Sequence, residues 1–229
     1  GELTYDPGVT TGPGTLVLIG VHVVGAMTHT GTSAPLLLAG GGNVLDAVSL
    51  QGGVITARSN PNTITTLAKA AAGTLRVDSN GGGFANALLT VTNGFTNHGL
   101  IELSEGSPLG VPHRLDVTSG TLVNDVDGVI DAAVGAYPAA PKYLGAALDN
   151  RGIVNVSSTG GLTIDKAGAD HLNSGAIGVT GGNLVVSQSG TTPTFGHSGT
   201  LAIAATRTAT FNGGELTYDP GVTTGPGTL

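Results

Sequence analysis

Residues 1–16, GELTYDPGVTTGPGTL, recur without change at residues 214–229. Sixteen consecutive identities are not coincidence, so the sequence reads as one 213-residue unit, residues 1–213, followed at 214–229 by the start of the next identical unit. A chain built this way stacks like on like, and each copy relies on its neighbours to complete its core. Leu229 falls inside a segment whose first copy continues as Val17-Leu18-Ile19-Gly20, and neither an initiator Met nor a signal peptide is present. The expectation is an excerpt of a longer tandem array, with deliberately duplicated ends as the alternative.

Within the unit a shorter motif recurs: Gly, any residue, aliphatic, variable, aliphatic. It reads Gly14-Thr-Leu16-Val-Leu18, Gly73-Thr-Leu75-Arg-Val77, Gly99-Leu-Ile101-Glu-Leu103 and Gly128-Val-Ile130-Asp-Ala132. It continues as Gly152-Ile-Val154-Asn-Val156, Gly175-Ala-Ile177-Gly-Val179 and Gly199-Thr-Leu201-Ala-Ile203, with weaker members at Ala34-Pro-Leu36-Leu-Leu38 and Gly53-Val-Ile55-Thr-Ala57. Aliphatic residues two apart with a polar or small residue between them describe a strand with one buried face. Successive anchors lie 19 to 29 residues apart, so nine coils fill 213 residues, the last running from Gly199 to Gly227.

Each coil holds a second alternation, as in Leu89 and Val91, Leu115 and Val117, Leu162 and Ile164, or Leu184 and Val186, and some hold a third, such as Leu3 and Tyr5. Corners repeat as Phe95-Thr-Asn97-His-Gly99, Leu148-Asp-Asn150-Arg-Gly152, His171-Leu-Asn173-Ser-Gly175 and Phe195-Gly-His197-Ser-Gly199. Asn tolerates the left-handed conformation and bonds neighbouring backbone, so stacked corner Asn side chains are expected to form a ladder, with His197 in the same row. The fold expected is all-β: a right-handed parallel β-helix, or β-solenoid, continuous over residues 1–229, with about nine coils per repeat and two to three short strands per coil.

Segments such as Gly199-Thr-Leu-Ala-Ile203 leading to Phe211-Asn-Gly-Gly-Glu-Leu-Thr-Tyr218 resemble the strand repeats of bacterial autotransporter passengers and filamentous adhesins. The resemblance covers nearly the whole chain and rests on strand pattern, not on a catalytic motif. It implies export and display at the bacterial cell surface as a stalk, adhesin or sheath. The identical 213-residue period departs from that class and points to a repetitive structural polymer.

Composition narrows the function classes. With 39% hydrophobic residues, mostly small aliphatics, and 40 Gly, the chain has a core to bury but a thin one. The formal charge is −7 and the eight Lys and Arg are scattered singly, which argues against nucleic acid as a partner. No apolar run approaches the roughly 18 residues of a spanning helix. Absence of Cys excludes disulfides and thiolate metal sites.

Several residue groups invite a chemical reading. Asn124, Asp125, Asp127 and Asp131 are the densest acidic group, and Asp125 and Asp127 before Gly128 resemble part of a Ca²⁺ loop, but Val123 and Val134 occupy the positions where further ligands belong. A solvated corner is the reading preferred. The run from Gly40 to Asp46 lacks the spacing of the nonapeptide Ca²⁺ repeat. His113, Arg114 and Asp116, beside an insertion from Glu105 to Pro112, are the nearest approach to a lyase-type grouping, and flanking a surface loop is the expectation there. His29 lies in a Thr alternation that neighbouring coils do not repeat, and Asn155-Val-Ser157 matches a glycosylation triplet. No catalytic, cofactor or metal residues are therefore assigned, and no enzymatic activity is expected.

The longest insertion, Tyr137 to Tyr143 after Ala136, carries two of the four Tyr residues. Repeated once per unit on the side of a rod, it is the candidate for lateral contacts. The expected partner is the protein itself, through axial stacking, in an extracellular or cell-surface fibre. An adhesin stalk and a carbohydrate-active enzyme are the alternatives.

Overall fold

Aliphatic alternation becomes parallel strands, each hydrogen-bonded to the corresponding segment of the coils before and after it. The computed structural model describes residues 1–5, 12–59, 61–79, 86–106 and 110–229, and these contain strands, turns and bends but no helix. Two parallel sheets run along one axis, a wide sheet of thirteen strands and a narrow sheet of ten, so nine turns of solenoid separate the first narrow-sheet strand from the last.

The narrow sheet is built from the Gly-anchored motif. Leu36, Ile55, Leu75, Ile101, Ile130, Val154, Ile177 and Leu201 follow one another in direct register, and all are buried. A second buried row, from Leu38 through Ala57, Val77, Leu103, Ala132, Val156 and Val179 to Ile203, runs beside it. The variable residue between the rows faces outward, where Arg76 meets its register partner Glu102, Nη2 to Oε2 at 2.9 Å. No coil could bury its two aliphatic side chains alone, so burial of each row depends on stacking.

The wide sheet changes character along the axis. Strands such as His113–Asn124 and Lys142–Asn150 run across its full width, with a register irregularity between Asp116 and Thr121. From Leu162 onward each coil uses two short strands instead: Leu162–Ile164 with His171–Asn173, Leu184–Ser187 with Thr194–His197, and Ala209–Asn212 with Glu215–Tyr218. This accounts for the two or three strands per coil read from the sequence.

The two copies of the sixteen-residue segment occupy different places. In the first, Glu2–Thr4 pairs with His22–Val24, and Leu16–Leu18 enters the narrow sheet. In the second, Glu215–Tyr218 pairs with Thr194–His197 on the other half of the wide sheet, Val222–Thr224 enters the narrow sheet against Thr200–Ala202, and Thr228 bridges Thr208. The narrow sheet is thus re-entered at Val222, not at the anchor expected from Gly227. Glu2–Thr4, Glu215–Tyr218 and Val222–Thr224 are exposed throughout, so no buried face fixes their register. Residues 6–11 of the first copy lie outside the described residues.

Candidate functional site

One corner of the solenoid carries the most ordered polar structure. Asn97, Asn124, Asn150 and Asn173 stand in register at strand ends, fully buried. Asn97 Nδ2 donates to Asn124 Oδ1 at 2.7 Å, Asn124 Nδ2 to Asn150 Oδ1 at 2.7 Å, and Asn150 Nδ2 to Asn173 Oδ1 at 2.6 Å. Asn173 Nδ2 then lies 3.0 Å from His197 Nδ1, so His197 continues the row as expected. The amides also donate to carbonyls of the following coil, Asn124 to Ile153 O at 3.0 Å and Asn150 to Ala176 O at 3.3 Å. The ladder is real, but its cause differs from the one expected: its members do not adopt positive φ, and among described non-Gly residues only Thr192 and Thr206 do. The Gly two residues after the ladder position lets backbone pack on backbone, since a Cβ at Gly175 or Gly199 would overlap the carbonyl of Gly152 or Gly175.

The row ends differently on each side. Lys69, in register with Asn97, is buried and donates to Gly73 O at 2.6 Å. Burial pushes its ammonium down to about 8, against the opposing pull of Asp127. At the other side the ring of Tyr218 meets His197 edge-on, centroids 4.8 Å apart, and burial lowers the His197 pKa.

The acidic group read from the sequence comes apart here. Asn124 belongs to the ladder. Asp131 lies on the narrow sheet, accepts from Ser157 Oγ at 2.9 Å, and is pushed up by burial, with Glu102 adding to the effect. Asp125 and Asp127 remain at the corner and meet a residue from the preceding coil, His98, whose Nδ1 is 2.9 Å from Asp127 Oδ1 and 3.5 Å from Asp125 Oδ2.

His113, Arg114 and Asp116 are likewise divided, because neighbours on a strand face opposite sides of the sheet. His113 points inward and is fully buried; its Nε2 lies 3.1 Å from Glu105 Oε2 and 3.0 Å from Ser79 Oγ. Burial, aided by the charge of Lys142, holds His113 down at about 4, so the ring is neutral. A Ser–His–carboxylate relay uses both imidazole nitrogens, whereas here Ser79 and Glu105 share one, and Ser79 Oγ also donates to Glu105 Oε1 at 2.7 Å. Ser107, Pro108 and Leu109 of the adjacent insertion lie outside the described residues.

Lys142, expected on the exposed insertion, is fully buried, with Nζ donating at 2.7 Å to both Ala140 O and Ser158 Oγ. Burial lowers it to about 8, opposed by the charge of Glu105. Tyr143 is also on a strand, with its ring beneath the Arg114 guanidinium at 5.7 Å. Tyr137 keeps the exposed position expected of it, 43% accessible with its ring beside Gly110.

Arg114 and Asp116 face outward into a cleft of about 450 Å³ on the wide sheet, joined by Asp165 and Lys166. Arg114 bonds both carboxylates, and Lys166 Nζ donates at 2.8 Å to Val117 O and to Thr118 O. Burial pushes the Asp116 carboxyl up, against the pull of Arg114. Asp165 and Lys166 lie far from Arg114 and Asp116 in sequence and form no group with them there. Their only signal is the alignment of coils of unequal length.

No family model, curated protein or solved structure matches this chain. The likeness to autotransporter passengers and filamentous adhesins therefore rests on the strand pattern alone. No helix among the described residues is long and apolar enough to cross a membrane.

Proposed function

We propose that this chain is a section of a structural rod: an extracellular or cell-surface fibre made of β-solenoid units stacked end on end, without enzymatic activity. The observation that carries this reading is the unbroken register of the inner rows, from Leu36 to Leu201, together with the amide ladder beside them. Stacking coil on coil converts sequence into length at about 4.8 Å per coil. In the cleft Arg114 bonds Asp116 and Asp165 while Lys166 bonds two backbone carbonyls, and such pairing stiffens a scaffold. The exact recurrence of residues 1–16 supports tandem repetition, and the surface location follows the resemblance noted above.

The second reading is the stalk of an adhesin, favoured by the exposed ring of Tyr137, which a rod would present once per unit. Electron microscopy of the full-length protein tests the first. Thin rods with an axial repeat of roughly 43 Å, nine coils at about 4.8 Å, are expected. Globular particles would end that reading, and rods bearing a distinct terminal knob would favour the stalk.

A further inference from the structure

We propose that His98, Asp125 and Asp127 form a binding site for a divalent transition-metal ion, of which Zn²⁺ fits best. Along the ladder, four corners have three residues: Asn97-His98-Gly99, Asn150-Arg151-Gly152, Asn173-Ser174-Gly175 and His197-Ser198-Gly199. The fifth, Asn124-Asp125-Val126-Asp127-Gly128, is two residues longer. The extra length turns the Asp127 carboxylate back onto the preceding coil, where His98 stands. The side-chain hydrogen bond from Asn97 to Asn124 holds the two corners in register, so the donors sit beside a buried, ordered contact.

The geometry suits a small tetrahedral ion. With metal–ligand bonds of about 2.0–2.1 Å, donor atoms around Zn²⁺ lie roughly 3.3–3.4 Å apart. His98 Nδ1 is 2.9 Å from Asp127 Oδ1 and 3.5 Å from Asp125 Oδ2, and all three donors lie within 4.8 Å of one another. Shifts of a few tenths of an ångström in part-exposed side chains bring the first two spacings into range. An imidazole nitrogen with two carboxylates selects Zn²⁺ and its first-row neighbours, whereas Ca²⁺ takes about six to eight oxygens and Mg²⁺ a near-ideal octahedron. Three protein donors leave a fourth position open to water. Asp127 also feels Lys69, and Asp125 feels Arg151. The ion competes with these two cations, which weakens its binding. Bound there, it ties two successive coils together at the widest ladder corner, whether the rod is a fibre or a stalk.

The test is calorimetric titration of the 229-residue chain with ZnCl₂, CaCl₂ and MgCl₂, with Co²⁺ absorption as the reporter of coordination geometry. One Zn²⁺ per chain is expected, with intense tetrahedral Co²⁺ bands and with Ca²⁺ and Mg²⁺ at least about tenfold weaker. His98→Gln and the near-isosteric Asp127→Asn should each weaken Zn²⁺ binding at least about tenfold while circular dichroism is unchanged. His22→Gln, which removes another exposed His–Asp contact, His22 to Asp46 at 2.7 Å, should leave binding intact. Absence of Zn²⁺ binding, or binding that survives His98→Gln, would overturn the proposal and leave a plain His–Asp contact.

Discussion

Arg114 and Asp165 are joined by two hydrogen bonds that span an intervening coil, Nη1 to Oδ2 at 2.8 Å and Nη2 to Oδ1 at 2.9 Å. Asp116 and Gly145 are register partners, and Asp165 N bonds Leu144 O, so Asp116, Gly145 and Asp165 occupy three successive rungs. The guanidinium lies over the middle one. A Cβ at Gly145 would overlap Asp116 Oδ1 and approach Arg114 Nη2, so the staple exists because residue 145 has no side chain.

Gly145→Ala is therefore expected to cost about what Arg114→Ala costs, roughly 1 kcal/mol each for a part-exposed charge-assisted pair. The double variant should cost much less than the sum, because both changes remove the same bonds. Urea denaturation of the four proteins measures this, and strictly additive costs would mean that Gly145 serves another purpose.

Asn150 accepts from Asn124 and donates to Asn173 and to Ala176 O. Asn150→Ala leaves buried donors and acceptors unmatched on two sides and should destabilise by about 2–4 kcal/mol. Asn150→Asp turns an acceptor toward the Asn173 oxygen and should be at least as harmful at neutral pH. Ser174→Ala, at the neighbouring corner residue, should lie within about 0.5 kcal/mol of the parent. Equal denaturation midpoints for Asn150→Ala and Ser174→Ala would contradict the ladder's role.

His113 and His171 are each held by burial at about 4, below an ordinary 6.5. Between these values the unfolded chain takes up protons that the folded chain refuses, so stability falls as pH drops from about 6.5 to 4, by a few kcal/mol in all. Lys69 and Lys142, lowered from 10.5 to about 8, act in the alkaline range: there the unfolded chain keeps protons that the folded one has released, so stability rises from pH 8 toward 10.5. Denaturation midpoints across pH should show both limbs. His113→Phe should flatten the acid one.

Ile130 is fully buried in the narrow-sheet row, whereas Ile153, on the next coil, is 43% exposed. Ile130→Ala should cost about 2–5 kcal/mol and Ile153→Ala well under 1 kcal/mol. Calorimetric melting of the two variants distinguishes them, and similar losses would mean that the inward and outward faces are wrongly assigned.

The fold was legible because solenoid strands announce themselves twice, once by aliphatic alternation and again by repetition at the next coil. Leu75, Ile101, Ile130 and Val154 could be aligned without knowing how the chain travels between them. Side-chain partnerships depend on that travel. In sequence Asn124 stands among acids, and its corner, two residues longer than the others, hides its kinship with Asn97 and Asn150. His113 and Arg114 are adjacent in sequence, but strand geometry sends them to opposite faces. Lys142 follows Pro138 and Pro141, yet it begins a strand at an inward position, a distinction that rests on where one loop ends.

Glu2–Thr4 and the identical residues Glu215–Thr217 belong to the same wide sheet but to different halves of it, the first against His22–Val24 and the second against Thr194–Gly196. Both strands are exposed along their whole length. Backbone hydrogen bonds alone then hold their alignment, and a one-residue slip would bring no aliphatic side chain out of the interior.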